Sequence, residues 1–260
     1  MIPLFVYRNE DIMAWLNIDF KSEALNMPVM LDVLIPQGHG NYKTLYLLHG
    51  AGGDHSSWLI KSQIAEYVEN KNIAVIMPSG ENKCYVNNRH GKNYSDYITG
   101  ELIQKCETWF PLSINKKDRY IAGMSMGGYG AFYSALEKEK LYNKAFSYSG
   151  LLNIIQRYDN PQGLDMYPVF GERQDLIDDE KDLFEKAKNN IDKFKNINEP
   201  TKFIIECGLD DTRLNMSQEL YKCMSEIGYD VSLKISAGNH NWEYWNKCIQ
   251  NTINTILADF

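Results

Sequence analysis

The chain has 260 residues, 44% of them hydrophobic and 23% charged, and a formal net charge of −7. Such a length and balance describe an ordinary globular protein with a large buried core, and the negative charge argues against nucleic acid or an anionic membrane as partner. The five cysteines form no C-x-x-C pair and are odd in number, so reduced thiols are expected rather than a disulfide framework.

The N-terminal segment MIPLFVYRNEDIMAW lacks a basic start followed by a long apolar run, and no stretch approaches the roughly 18 apolar residues of a membrane span. A cytoplasmic protein is the expectation. Apolar runs suited to strands follow at 14–20, 29–35, 44–48, 73–77, 119–123, 144–148, 202–207 and 230–235. The later runs are short, uninterrupted and flanked by Gly or Pro, as parallel strands buried on both faces require. Helical stripes lie between or after them: Ile98, Leu102, Cys106 and Trp109; then Leu220, Met224 and Ile227; then Trp245, Ile249, Ile253 and Ile256. This alternation predicts an α/β fold, one domain over residues 1–260 on a mainly parallel, doubly wound sheet of about eight strands. The first two runs are too close for a helical crossover and predict an antiparallel entry to the sheet. The stretch 151–198 breaks the rhythm with Pro161, Gly163, Pro168 and Gly171, and reads as a short cap insertion. Its acidic helix, Asp175 to Lys188, is expected to be a solvated surface.

The most informative segment is Arg119-Tyr-Ile-Ala-Gly123-Met-Ser125-Met-Gly127-Gly128. It is a G-x-S-x-G with a strand before it and a plausible helix, Tyr129 to Leu136, after it. A nucleophilic serine on such a strained turn needs glycines two residues to either side, because side chains there would strike the neighbouring backbone. The helix that follows turns its N-terminus toward the serine and favours negative charge there. A second glycine-rich turn, Leu48-His49-Gly50-Ala51-Gly52-Gly53, follows the strand at 44–48. The N–H groups of Ala51 and Met126 are the expected oxyanion hole, and His49 is expected to shape the loop by hydrogen bonding.

With Ser125 as nucleophile, the acid and then the base follow in the chain. His240 is the one histidine after Ser125, in the loop Ser236-Ala-Gly-Asn-His240-Asn-Trp242. Three acids crowd the end of the preceding strand, Glu206, Asp210 and Asp211; the G-x-x-D spacing from Gly208 selects Asp211, while Asp210 is expected to cap the next helix.

These stretches resemble the esterase D family of α/β-hydrolases, and within it the small bacterial tributyrin esterases related to acetyl and feruloyl esterases. The likeness runs through Ala24–Pro36, Leu45–Gly50, Met77–Gly80, Ala122–Ala131, Cys207-Gly208 with Asp211, and Ser236–His240 with Trp242 and Trp245. It implies a serine hydrolase of short-chain esters that needs no cofactor, and supports Ser125, Asp211, His240 and the N–H groups of Ala51 and Met126. After Asp211 the chain departs from the family, with Thr212-Arg213 in place of large apolar residues.

Other residues are open to two readings. Tyr85, Asn87, Asn88 and Tyr94 either line a substrate cleft or are ordinary loop residues. Trp58 and Trp242 either wall the acyl pocket or pack beneath the catalytic loops. Trp58, Tyr85 and Trp242 are the candidate substrate-binding residues. Cys84 has no histidine pattern to activate it, and His39, His55 and His90 show no metal-ligand spacing, so no metal is assigned. The expected partner is a small-molecule or oligosaccharide ester, without nucleic acid or membrane; a homo-oligomer is compatible with the sequence. Rival functions are an acyltransferase like the mycolyl transferases, S-formylglutathione hydrolase, and a catalytically silent carbohydrate-binding module. Product analysis with an added acceptor separates the first, and fluorophosphonate labelling the last.

Overall fold

Each of the eight apolar runs forms a strand: β1 (Met13–Ser22), β2 (Met27–Pro36), β3 (Lys43–Leu48), β4 (Ile73–Pro78), β5 (Arg119–Met124), β6 (Lys144–Tyr148), β7 (Lys202–Gly208) and β8 (Val231–Ser236). A computed structural model describes residues 13–38, 40–161 and 165–259. The readings made on the N-terminal segment before residue 13, on His39 and on Gly163 lie outside the described residues. The strands make one sheet in the order β1-β2-β4-β3-β5-β6-β7-β8. β1 pairs antiparallel with β2, as their short connection allows, and β2 also pairs antiparallel with β4. From β4 to β8 every pairing is parallel.

Alternation along the central strands explains why both sheet faces are covered. Tyr46, Leu48, Ile76 and Ile121 point to one apolar cluster, while Leu45, Leu47, Val75, Tyr120 and Ala122 point to the other. Each fully buried side chain of this size stabilises the fold by roughly 1.5–3 kcal/mol relative to exposure. The helices are α1 (Ser57–Lys61), α2 (Ile64–Val68), α3 (Tyr94–Asp96), α4 (Leu102–Trp109), α5 (Met126–Glu137), α6 (Ile154–Asp159), α7 (Tyr167–Phe170), α8 (Arg173–Asp178), α9 (Leu183–Lys195), α10 (Leu214–Ile227) and α11 (Trp242–Ala258), with a π-turn at Tyr97–Glu101 joining α3 to α4. Residues of α4, α5, α9 and α10 pack in the first cluster, and residues of α1, α2 and α11 in the second. The predicted stripes of α10 and α11 face the sheet; in α4 the stripe ends early, because Trp109 is exposed and meets Phe20 edge-on.

The segment 151–198 differs from its sequence reading in one respect. Asp175 to Lys188 is not one solvated helix but the end of α8 and the start of α9, broken where Glu180 takes a positive φ and Asp182 caps α9 through the Glu185 N–H. α9 then turns Leu183, Ala187 and Phe194 into the core. Its Lys186 is buried too, paired with Glu137 at 2.6 Å and lying 4.6 Å from the centre of the Tyr133 ring. A charged sequence face here holds a buried lysine paired with a half-buried glutamate, which composition cannot distinguish from a solvated pair. No helix among the described residues is long and apolar enough to cross a membrane.

Candidate active site

The site gathers at the carboxyl ends of the parallel strands. Ser125 stands between β5 and α5 with φ 52° and ψ −115°, a conformation rarely tolerated outside glycine. Four backbone contacts hold it: its N–H donates to the Tyr148 carbonyl (2.9 Å), and its carbonyl accepts from Gly128 (3.1 Å), Tyr129 (3.2 Å) and Leu151 (3.0 Å). The flanking glycines are demanded by close approach. A Cβ on Gly123 would lie 2.3 Å from the Gly127 carbonyl oxygen, and one on Gly127 would lie 2.5 Å from that of Leu48. Gly127→Ala is therefore expected to strain the backbone by on the order of 1–3 kcal/mol and lower the melting temperature by several degrees. Gly100→Ala, whose Cβ meets nothing within 4 Å, should leave it level or higher. A differential thermal melt of the two variants decides the point; equal melts would contradict it.

The three residues singled out by the sequence come together. His240 Nε2 lies 3.1 Å from Ser125 Oγ, and Nδ1 lies 3.1 Å from both carboxylate oxygens of Asp211. A carboxylate can only accept, so Nδ1 carries the proton and Nε2 is left to accept from the serine hydroxyl. The Asp211 side chain is fully buried, and Oδ1 also accepts from the Arg213 N–H at 2.8 Å. Burial alone pushes its carboxyl up; hydrogen bonds from His240 and the Arg213 N–H, with the Ser149 hydroxyl nearby, outweigh burial and hold it below the usual carboxylate value. Thr212-Arg213 thus serves the acid through a backbone N–H, which needs no particular side chain.

The neighbouring acids lie elsewhere. Asp210 is exposed and does not cap α10, whose first turn has no side-chain cap; the expectation of a cap there is corrected. Glu206 is buried away from the serine, accepting from Asn251 (3.1 Å) and facing Lys234 (3.4 Å). His49 shapes its loop as the sequence suggested: it accepts from the Gly80 N–H at Nε2 (2.9 Å) and meets the Gly50 carbonyl at Nδ1 (2.7 Å). Burial lowers its pKa, so it stays neutral and keeps both bonds. The Gly50–Gly53 turn is closed by the Gly53 N–H on the Gly50 carbonyl (3.1 Å) and pinned by Asn82 on the Gly52 N–H (2.8 Å). That turn sets Ala51 in the wall of the cleft. Met126 opens α5, where a helix leaves its first N–H groups without intrahelical acceptors.

The cleft over Ser125 encloses about 450 Å³ and is walled by Met124, Trp242 and Trp245 on its apolar side. Of the three candidate substrate-binding residues, Trp242 lines it. Two are corrected. Tyr85 is fully buried, its hydroxyl donating to the His49 carbonyl at 2.9 Å, and Trp58 is fully buried with Nε1 donating to the Leu48 carbonyl at 3.0 Å. Trp58 supports the wall from behind, edge-on to Trp242 with ring centroids 5.1 Å apart. Cys84 is buried and its thiol is pushed up to about 12, the opposite of an activated nucleophile. Two neighbours of the site were given no role in the sequence reading. Ser149, fully buried just after β6, lies near the Asp211 carboxylate, and Trp245 sets its ring perpendicular to the His240 imidazole at 5.0 Å. The signal for Trp245 was its i+3 spacing from Trp242, which puts both on one face of α11.

A serine on a strand-to-helix turn, next to an imidazole and a buried carboxylate over a mainly parallel sheet, defines an α/β-hydrolase. The family described as "Putative esterase" matches residues 22–255, so the chain belongs to this esterase family and is a carboxylic ester hydrolase. An acetyl esterase of Caldicellulosiruptor saccharolyticus is 29% identical over 265 residues, covering 92% of this chain and 96% of that protein. Among solved structures, the Staphylococcus aureus fluorophosphonate-binding serine hydrolase FphF superposes with a TM-score of 0.88 at 25% identity, covering 95% of this chain and 100% of that one. S-formylglutathione hydrolase (FrmB) of the same organism superposes with a TM-score of 0.85 at 26% identity, covering 94% and 99%.

Proposed function

We propose that the protein hydrolyses short-chain acyl esters through a serine-bound acyl-enzyme. The observation that carries this reading is the continuous hydrogen-bonded chain from Asp211 through His240 to Ser125 at the floor of the cleft. Ser125 Oγ attacks the ester carbonyl as His240 Nε2 takes its proton, and the new oxyanion rests on the Ala51 and Met126 N–H groups. The carbon–oxygen bond to the alcohol then breaks, with His240 returning the proton to the leaving oxygen. Water, deprotonated by the same imidazole, releases the acid and restores the serine. Asp211 keeps the imidazole in the required tautomer and offsets its charge when it is protonated. No step requires a cofactor.

The acyl range follows from the wall. Trp242 stands edge-on between Trp58 and Trp245, with centroids 5.1 and 5.3 Å away, so the indole surface is fixed. Each methylene that fits beside it contributes about 0.8 kcal/mol, and one that clashes costs more. The described helices between 151 and 198 bury apolar faces in the core, and among the described residues none forms a broad apolar lid for a lipid surface. We expect kcat/KM to peak at acetyl to butyryl esters and fall steeply by octanoyl, measured over C2 to C12 p-nitrophenyl esters. A maximum at C10 or longer would defeat the reading. The acetyl esterase relative supports acetyl as the natural acyl group, and the family likeness extends this to acetyl or feruloyl groups on plant polysaccharide. The likeness to FrmB favours one second reading, a thioesterase acting on S-formylglutathione. Assay of that thioester beside the p-nitrophenyl series separates the two.

A further inference from the structure

Apart from His240, the lining of the active-site cleft has one ionisable side chain, and it is a lysine. Lys61 ends α1 and holds its ammonium 5.6 Å from the centre of the Trp242 ring. Among the described residues it makes no ion pair. The acids on neighbouring elements are engaged elsewhere: Asp54 accepts from the Ser56 N–H and hydroxyl (2.9 and 2.7 Å), Glu66 from Gln63 (3.1 Å), and Glu243 pairs with Lys247 (2.9 Å). Asp211, the nearest catalytic acid, is turned behind His240. A cation on an aromatic face can rest there and still offer its N–H donors to a ligand.

A second positive contribution comes from a helix. The N-terminus of α5, a helix of 12 residues, begins at Met126 beside the serine and adds partial positive charge. A protein with a net charge of −7 thus sets a lysine ammonium and a helix N-terminus at the cleft where its ester reacts. A wholly neutral ester would leave the Lys61 ammonium as it is in water. Lys61 is exposed at the rim of the cleft, and an anionic ester gains an ion pair there against the half-buried Trp242 shelf. One ammonium is a point charge without the fork of an arginine, and it matches a single carboxylate better than a dianionic phosphate.

We propose that Lys61 is a specificity-determining residue and that the cleft selects esters carrying a carboxylate, which its ammonium pairs while the ester carbonyl sits on Ser125. This rests on the esterase reading of Ser125, His240 and Asp211. The test compares each anionic ester with its own neutral methyl ester. 4-Acetoxybenzoate against methyl 4-acetoxybenzoate places the carboxylate on the leaving group. Mono-4-nitrophenyl glutarate against methyl 4-nitrophenyl glutarate places it on the acyl side. kcat/KM is measured for the wild type, Lys61→Met and Lys61→Glu, with buffer hydrolysis subtracted. The anion-to-neutral ratio carries the result, so a general loss of activity in a variant cancels. In one pair the ratio is expected to fall about tenfold in Lys61→Met and further in Lys61→Glu. The wild-type ratio should also fall when salt is raised to about 0.5 M. A ratio unchanged within about twofold in both pairs would overturn the inference and leave the esterase reading intact. Failure of the wild type to turn over any of the four esters or to take a fluorophosphonate label would overturn both.

Discussion

Ser125→Ala is expected to lower ester turnover by about 10⁴-fold or more while the protein stays folded. The loss follows from geometry. His240 Nε2 lies 3.1 Å from the serine oxygen, and in the alanine variant the imidazole has no proton to take and the carbonyl no nucleophile to meet. The fold should survive because the contacts that hold this turn are made by the backbone, through the Ser125 N–H to Tyr148 and the Ser125 carbonyl to Gly128, Tyr129 and Leu151. Alanine keeps the same Cβ in the same strained φ of 52°, so the strain is neither relieved nor increased. The proposed oxyanion donors, the Ala51 and Met126 N–H groups, remain, and any residual rate above that in water is assigned to them. Turnover of p-nitrophenyl butyrate, fluorophosphonate labelling and a thermal melt are the measurements. A folded variant that keeps more than about a tenth of the wild-type rate would remove Ser125 from the mechanism.

The legible parts of the molecule were those in which local sequence and tertiary structure make the same demand. The interior strands β3 to β7 were readable because a strand buried on both faces needs a nearly unbroken apolar run, whereas the edge strands β1 and β8 are largely exposed and were readable from their β-branched and aromatic residues instead. The turn at Ser125 was readable because Gly123 and Gly127 meet backbone oxygens at distances no side chain permits. Side-chain direction was harder to read. Tyr85 follows a strand on the side where such sheets bind ligands, yet Cys84 and Tyr85 both have positive φ, and this turns the phenol ring inward against His49. Nothing in Lys83-Cys84-Tyr85-Val86 announces that turn. Trp58 is a similar case: the sequence gives an aromatic near the oxyanion loop, but only the packing of α1 on α11 decides that Trp242 faces the cleft and Trp58 lies behind it. Lys61 was unreadable as a cleft residue for the same reason, since α1 is too short to show a periodic face.

Asp211→Asn is expected to lower kcat by roughly 10³- to 10⁴-fold, and Asp210→Asn by at most about tenfold. Both are single-atom exchanges on adjacent residues, so the contrast tests position alone. In the wild type Asp211 Oδ1 accepts from the Arg213 N–H at 2.8 Å, a bond an asparagine keeps only through its carbonyl oxygen. That orientation turns the amide NH₂ toward His240 Nδ1, which must then accept, and the imidazole proton moves to Nε2, facing Ser125. The base is left in the wrong tautomer in front of an intact nucleophile. Asp210 has an exposed side chain, and its structural bond, the N–H to the Gly238 carbonyl at 3.1 Å, belongs to the backbone and survives the change. The depressed pKa of Asp211 adds a second readout. A carboxyl lowered on folding contributes stability above its unfolded pKa of about 3.9, and loses it as pH falls through the folded value. The melting-temperature gap between wild type and Asp211→Asn should therefore be widest near neutrality and narrow as the medium is acidified toward and below that range. Kinetics of both variants on one acetyl ester, with melts across the same pH series, complete the measurement. If Asp210→Asn proves the more damaging substitution, the acid of the mechanism is Asp210, and the 3.1 Å contacts between Asp211 and His240 do not describe the working enzyme.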